Sequence, residues 1–421
     1  MMMRKLFIYT FLLLISFVSR ASMVLIPMDD TSQVNHLKAY GITYWTLDKD
    51  YKVSWLLNYR GGSFLLPDRE EIRRECKIRG VSFEIITDGE ANAILDEISS
   101  PSQNKETVIL EKAPKIAVYS PPGKQPWDDA VTMVLTYAEI PFTTIYDEEV
   151  LNDALLLYDW LHLHHEDFTG QYGKFFGAYR NAPWYLEQKR EAEELAQRLG
   201  YSKVSEEKMA VADKIRDYVV GGGFMFAMCS ATDTFDIALA AEDVDICEPM
   251  FDGDPSEPNY QSKIDYNNSF AFKNFILERS PMVYEFSDID TTNDRKIPFE
   301  QDYFTLMEYS AKWDPVPTML CQNHTQLVKG FMGQTTAYRA DRVKSNVLVM
   351  GMNKLNNEAR YIHGTKGKGM FTFYGGHDPE DYQHRVGDAP TVLDLHPNSP
   401  GYRLILNNVL FPAARKKKQK T

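Results

Sequence analysis

A chain of 421 residues with 46 Lys and Arg against 59 Asp and Glu has a formal charge of −13. That balance excludes, for the body of the protein, the basic footprint of a nucleic-acid or anionic-membrane binder. Hydrophobic residues at 44% and charged residues at 25% exclude global disorder, and the length suits two or three domains.

The chain opens with Arg4 and Lys5, an apolar run from Leu6 to Val18, and Ser19-Arg20-Ala21. A basic flank, a short apolar core and small residues at the cleavage positions predict an export signal over residues 1–21. The run is short for a membrane span, and no Cys follows it to accept a lipid. The expected product is therefore a periplasmic or secreted protein without stable membrane insertion.

From Met23 the sequence runs through VLIPM, helical spacing over residues 32–50, the strand YKVSWLLN, a Gly-Gly turn, a helix over Arg69 to Arg79, and the strand VSFEII. This rhythm predicts a small N-terminal α/β domain over residues 22–112. The polar turn SSPSQNK and Pro114 before a fresh strand place its boundary near residue 112. Gly61-Gly62 lacks the pattern of a phosphate loop and reads as a tight turn.

The second unit, residues 113–412, begins with the strand KIAVYS and a Pro-Pro-Gly loop, then the helix WDDAVTMVLTYAEI. The strands FTTIY and YDWLHLHH and a long, aromatic-rich helical region from Phe175 to Tyr218 follow. Such alternation predicts a parallel sheet covered on both faces, with ligands outside the carboxyl ends of its strands. Residues 248–346 interrupt the rhythm with turn formers and short β-like runs such as PMVYEFS and PTMLC, and read as a partly antiparallel elaboration. The acidic turn FDGDPSEPN misses the spacing of a calcium loop. The rhythm returns with SNVLVMG, EARYIHG, GKGMFTFYGG and the helix PGYRLILNNVLF, and residues 413–421 form a basic, solvated tail. Asn267 and Asn323 begin formal glycosylation sequons.

In VVGGGFMFAMCSATDTFD the apolar run FMFAM gives way at Cys229 to a helix opened by Ser230. A strand-to-helix elbow needs small neighbours around its nucleophile, and Ala227 and Ala231 supply them. A helix N-terminus behind the sulfur favours the thiolate; a buried structural cysteine suits the same position. Cys76, Cys229, Cys247 and Cys321 show no CxxC spacing, and a Cys229–Cys247 bridge would remove the nucleophile.

His377 follows MFTFYGG at a strand end, as a general base should, with Asp378 or Glu380 placed to orient it. A histidine capping the turn before the last helix is the alternative. In WLHLHHEDFTGQY, His162 and His164 share one strand face, and His165, Glu166 and Asp167 occupy the loop beyond. These groups hold a metal only if the loop folds back. A site wall, with Glu166 or the following amides near Cys229, or a hydrogen-bonded structural cluster accounts for them otherwise. No metal and no cofactor is expected.

VGGGFMFAMCSATDTF together with EARYIHGTKGKGMFTFYGGHDPEDYQH resembles the ThuA-like branch of the class I glutamine amidotransferase superfamily, over roughly residues 113–412. The resemblance implies a flavodoxin-like parallel sheet of nucleophile-elbow topology, with its site at the elbow around Cys229, Ser230 and Asp233. ThuA-like members commonly lack the elbow cysteine, so at that position the chain is more similar to the catalytic amidotransferases. Those carry His-Pro-Glu where this chain has His377-Asp378-Pro379-Glu380. The whole chain also resembles an exported bacterial family whose members sometimes bear the label asparagine synthetase B; the N-terminal cysteine and pyrophosphate loop of a true synthetase are missing from this sequence.

The expected function is an exported hydrolase acting on an amide or ester, with Cys229 attacking, His377 moving the proton and amides near Ser230 holding the oxyanion. One rival is a non-catalytic cell-envelope module that binds carbohydrate, a reading that RNAPWYLEQ and the Trp and Tyr content suit. Another is a metal-dependent sugar hydrolase or isomerase centred on His164 and His165. The partner in each case is a small molecule or carbohydrate, with no nucleic acid.

Overall fold

The structure, a computed structural model, describes residues 22–415 apart from 124, 323, 324 and 384. Residues 1–21, where an export signal is expected, the sequon at Asn323 and tail residues 416–421 lie outside the described residues.

The N-terminal unit comprises β1 (Ser22–Ile26), α1 (His36–Asp48), β2 (Val53–Leu57), β3 (Ser63–Pro67), α2 (Glu70–Arg79), β4 (Glu84–Thr87), α3 (Asp88–Ser99) and β5 (Glu106–Leu110). Its five strands pair antiparallel in the order β4-β1-β3-β2-β5. Alternation along the strands sends Val24, Ile26, Trp55, Phe64 and Leu66 into the main core. Leu25, Leu56 and Leu65 face the other way, onto Ala91 and Ile98 of α3. Asn35 starts α1 by accepting from the Lys38 N–H at 2.9 Å, and Thr87 and Glu90 form a capping box at α3. Neither β3 nor α3 was anticipated from the sequence.

The second unit contributes β6 (Ile116–Tyr119), α4 (Ala130–Tyr137), β7 (Thr143–Ile145), α5 (Asp147–Leu151), β8 (Trp160–Leu163), α6 (Pro183–Arg198), α7 (Val204–Gly221), β9 (Phe224–Met228) and α8 (Ala231–Ala240). After it come β10 (Tyr303–Leu306), α9 (Pro315–Cys321), β11 (Leu327–Lys329), β12 (Tyr338–Arg339), β13 (Leu348–Asn353), β14 (Glu358–Lys366), β15 (Gly369–Tyr374) and α10 (Pro400–Leu410). They build one sheet in the order β11-β10-β13-β14-β15-β9-β8-β6-β7, with β12 on β14. The strands β15, β9, β8, β6 and β7 are mutually parallel, and the remainder pair antiparallel. The expected α/β class is present, as a mixed sheet beside a smaller antiparallel one.

β6, β8 and β9 are buried at every position, as strands covered on both faces must be. Val118, Trp160 and Phe226 face Val131 and Leu135 of α4 and Leu406 of α10. Ala117, Leu161 and Met225 face Val211 and Ile215 of α7 and Phe235 of α8. The core crosses the change of sheet near residue 112. Gly41 of α1 lies so close to Ala138 that an added Cβ would stand 1.8 Å from its carbonyl oxygen. The Tyr44 hydroxyl donates to the Pro114 carbonyl at 2.8 Å, and the Arg403 guanidinium to that of Met28 at 3.3 Å.

In the elaboration, PTMLC belongs to α9 rather than to a strand, because Asp314 and Pro315 start a helix there. PMVYEFS forms turns with one isolated bridge at Ser287. Among the described residues no helix is long and apolar enough to cross a membrane.

Candidate functional site

Leu163 stands in register with Ala227, and Met228 with Tyr374, so β8, β9 and β15 end at one sheet edge. Cys229 turns the corner from β9 to α8 with φ of +49°, a left-handed backbone that costs a non-glycine residue about 1–2 kcal/mol. Its N–H donates to the Gly376 carbonyl at 3.2 Å, and the Ala231 N–H donates to His164 at 3.1 Å. The Thr234 hydroxyl donates to the Glu166 carbonyl at 2.8 Å. These bonds tie the elbow to the loops after β15 and β8. Gly376 itself has φ of +101°, and a Cβ there would meet the Phe331 ring at 2.5 Å, so glycine is required.

Cys229, Ser230, His165 and His377 line a cavity of about 230 Å³, together with Trp127, Phe175, Tyr284 and residues 332–334. All four cysteines are free and buried, so no Cys229–Cys247 bridge removes the thiol. Burial pushes the Cys229 thiol up to about 11, against the N–H groups of Gln334, Ser230 and Thr335, which favour the thiolate. The thiolate expected from the sequence is therefore not the resting form: the amides favour it, but desolvation outweighs them.

Three imidazoles converge at the cavity wall, His165 and His377 lining it and His164 packed against both. The loop after β8 does fold back: the rings of His164 and His165 stack with centroids 4.0 Å apart, and each lies 4.8 Å from the His377 ring. His164 Nδ1 lies 3.4 Å from Asp129 Oδ1, and His162 Nε2 lies 3.2 Å from Asp129 Oδ2. His165 Nε2 donates to the Asp128 carbonyl at 2.9 Å. Burial lowers the His165 basicity well below the usual range, and His164 and His377 lower it further. Burial alone would raise the Asp129 carboxyl, but His162 and His164 outweigh it and hold the group well below the ordinary range.

Asp129, which the sequence reading missed as a site residue, is placed by its second duty as N-cap of α4. Its Oδ1 accepts from the N–H groups of Val131 and Thr132 at 2.7 and 2.9 Å. An Asp directly before an apolar helical run was the available signal.

The other expected residues fall around this centre. Glu166 accepts from the His164 N–H at 2.9 Å and is pushed up to about 7 by burial. It lines an adjoining cavity of about 550 Å³ rather than the one at Cys229, and the two cavities share Trp127, His165 and Phe175. Ser230 precedes α8 without capping it, and its buried hydroxyl has no partner. Asp233 is fully buried behind the elbow and accepts from the Thr335 hydroxyl at 2.9 Å. Asp378 accepts from the Glu380 N–H at 2.9 Å and the Thr391 hydroxyl at 2.7 Å, while Glu380 lies 3.0 Å from His396 Nδ1.

No family model matches the chain. No curated protein matches it either. Among solved structures, a cytoplasmic protein of Salmonella typhimurium is similar at 11% identity and a TM-score of 0.35, covering 72% of this chain and 100% of its own. A second, from Salmonella typhimurium LT2, stands at 13% and 0.36 with the same coverage. A GH42 beta-galactosidase stands at 11% and 0.28, over 63% of this chain and 28% of that one.

Proposed function

We propose that the protein is an exported hydrolase of an amide or ester, with Cys229 as nucleophile and His377 as general base. The observation that carries this reading is the strained elbow. Cys229 holds φ of +49° in the wall of the cavity that His377 also lines, bonded to the residue next to that histidine. Strain kept at a strand-to-helix corner is the geometry that presents a nucleophile. The parallel order β7-β6-β8-β9-β15, which is 2-1-3-4-5 in order of appearance, supports a flavodoxin-like, amidotransferase-related sheet with its site at the carboxyl edge.

The thiol is protonated at rest, so its proton must leave as the sulfur attacks. The Sγ–C bond forms while the proton passes to the His377 imidazole, and the carbonyl oxygen takes the negative charge. The N–H groups of Ser230, Gln334 and Thr335, which already favour charge on the sulfur, serve that oxyanion. The imidazolium returns the proton to the leaving amine or alkoxide, and water cleaves the thioester. A panel of p-nitrophenyl esters and anilides tests the assignment: Cys229→Ala should abolish turnover of whichever substrate is accepted, and His377→Ala should reduce it at least a hundredfold. Wild-type turnover in Cys229→Ala would contradict it.

A second reading, carbohydrate binding without turnover, is favoured by the aromatic wall of the larger cavity. Trp127, Phe175, Tyr172 and Tyr146 line it, and Trp127 stacks on Phe175 at 5.2 Å, a surface suited to a sugar face.

A further inference from the structure

We infer that His164, His165 and His377 bind one divalent ion of the zinc class, and that its occupancy withdraws His377 from proton transfer.

One ring nitrogen from each of these histidines lies within 4.8 Å of the other two. Bonds of about 2.0–2.1 Å to one ion set tetrahedral ligand nitrogens about 3.4 Å apart, so the rings must draw together by up to about 1.4 Å. The outer nitrogens already face oxygen acceptors. His164 Nδ1 faces Asp129 and His165 Nε2 faces the Asp128 carbonyl, which leaves His164 Nε2 and His165 Nδ1 with lone pairs. Carboxylate and carbonyl partners on the outer nitrogens are the arrangement that orients metal-bound imidazoles. Asp129 also supplies the negative charge a cation needs nearby.

The independent observation is His164 Nε2. His164 is completely buried, and this nitrogen has no hydrogen-bond partner. Leaving it unsatisfied costs about 1–3 kcal/mol, a cost that coordination removes. His165 and His377 line the cavity, so an ion has a route to it. A structural imidazole cluster would satisfy this atom internally.

The consequence for catalysis rests on the proposed hydrolase reading: a lone pair held by a metal cannot accept the Cys229 proton. Metal binding itself does not depend on that reading. Metal-stripped full-length protein is titrated with zinc by calorimetry without substrate, and loading is checked by elemental analysis. One zinc per chain is expected. Affinity should fall at least tenfold in His164→Gln and in His165→Gln, fall about 10–100-fold in Asp129→Asn, and be unchanged in Cys229→Ser. Circular dichroism confirms that each variant is folded, and His165→Gln, at the cavity wall, serves if His164→Gln is not. Absence of saturable binding, or full binding in folded His165→Gln, overturns the site. Turnover of an accepted ester is then followed against zinc. Loss in step with occupancy supports the withdrawal of His377, whereas unchanged or increased turnover with zinc bound overturns it. If no substrate is accepted, the hydrolase reading fails while the titration still decides the metal site.

Discussion

The backbone N–H of Cys229 donates to the carbonyl of Gly376 at 3.2 Å, joining the corner after β9 to the glycine that immediately precedes His377. The bond ties the ends of β9 and β15 together, so the two cavity-lining side chains stand at one sheet edge.

The strain at this corner is measurable. At an ordinary position Gly is less stable than Ala by roughly 0.5–1 kcal/mol, but with φ of +49° the preference should vanish or reverse. Urea unfolding of Cys229→Gly and Cys229→Ala is expected to find the glycine variant at least as stable. A deficit of about 1 kcal/mol for glycine would mean that the corner is not strained.

Because burial pushes the Cys229 thiol up to about 11, alkylation of the native protein at pH 7 should be slower than that of the unfolded chain. The rate should climb about tenfold per pH unit toward 11, since the thiolate is the reactive form. Peptide mapping after iodoacetamide separates Cys229 from the other three cysteines. A rate plateau near neutral pH would contradict the burial argument.

Asp233 sets a pH dependence of stability. Burial raises its folded-state carboxyl to about 7, with Asp167 adding to the rise and the Thr335 hydroxyl opposing it; Asp290 stands nearby. Between about pH 4 and 7 the folded state holds a proton that the unfolded chain has released, so stability falls as pH rises through that window. Urea unfolding at pH 5 and pH 8 should show that Asp233→Asn removes roughly 2–3 kcal/mol of the wild-type decline. Equal declines would sink this assignment.

Lys208 of α7 donates to the buried Asp147 of α5 at 2.5 Å and to the hydroxyls of Tyr119 of β6 and Tyr146 at 3.0 and 3.1 Å. Asp147→Asn leaves the buried ammonium with the more distant Glu207, 3.8 Å away, so it should cost up to about 3–5 kcal/mol. Lys208→Met added to it should recover part of that loss. Thermal melts check both, and a melting temperature unchanged in Asp147→Asn would contradict the pairing.

The sequence showed the elements whose signals are local. FMFAM and the IAVY within KIAVYS read as buried strands because apolar side chains fall on both faces, and they are β9 and β6. The return of the chain at SNVLVMG, EARYIHG and GKGMFTFYGG is β13, β14 and β15. SFLLP is not legible as a strand because a five-residue run beside a Gly pair looks like the flank of a turn, yet pairing with both β1 and β2 makes it one. Cys229 and His377 could be named from their strand-end positions. The meeting of His164 with Asp129 could not, because those residues are 35 positions apart and only the packing of α4 on β8 brings them together. Nor could the sequence weigh burial against a helix N-terminus at Cys229, since the depth of the sulfur depends on residues 332–334 and His377, far along the chain.

The most direct test of Cys229 as nucleophile is intact-mass spectrometry of full-length protein quenched during turnover of an accepted p-nitrophenyl ester. One acyl group per chain is expected, mapped to the Cys229 peptide, lost on further incubation and absent from Cys229→Ala. Turnover with no adduct on Cys229, or an adduct on another residue that persists in Cys229→Ala, would contradict it.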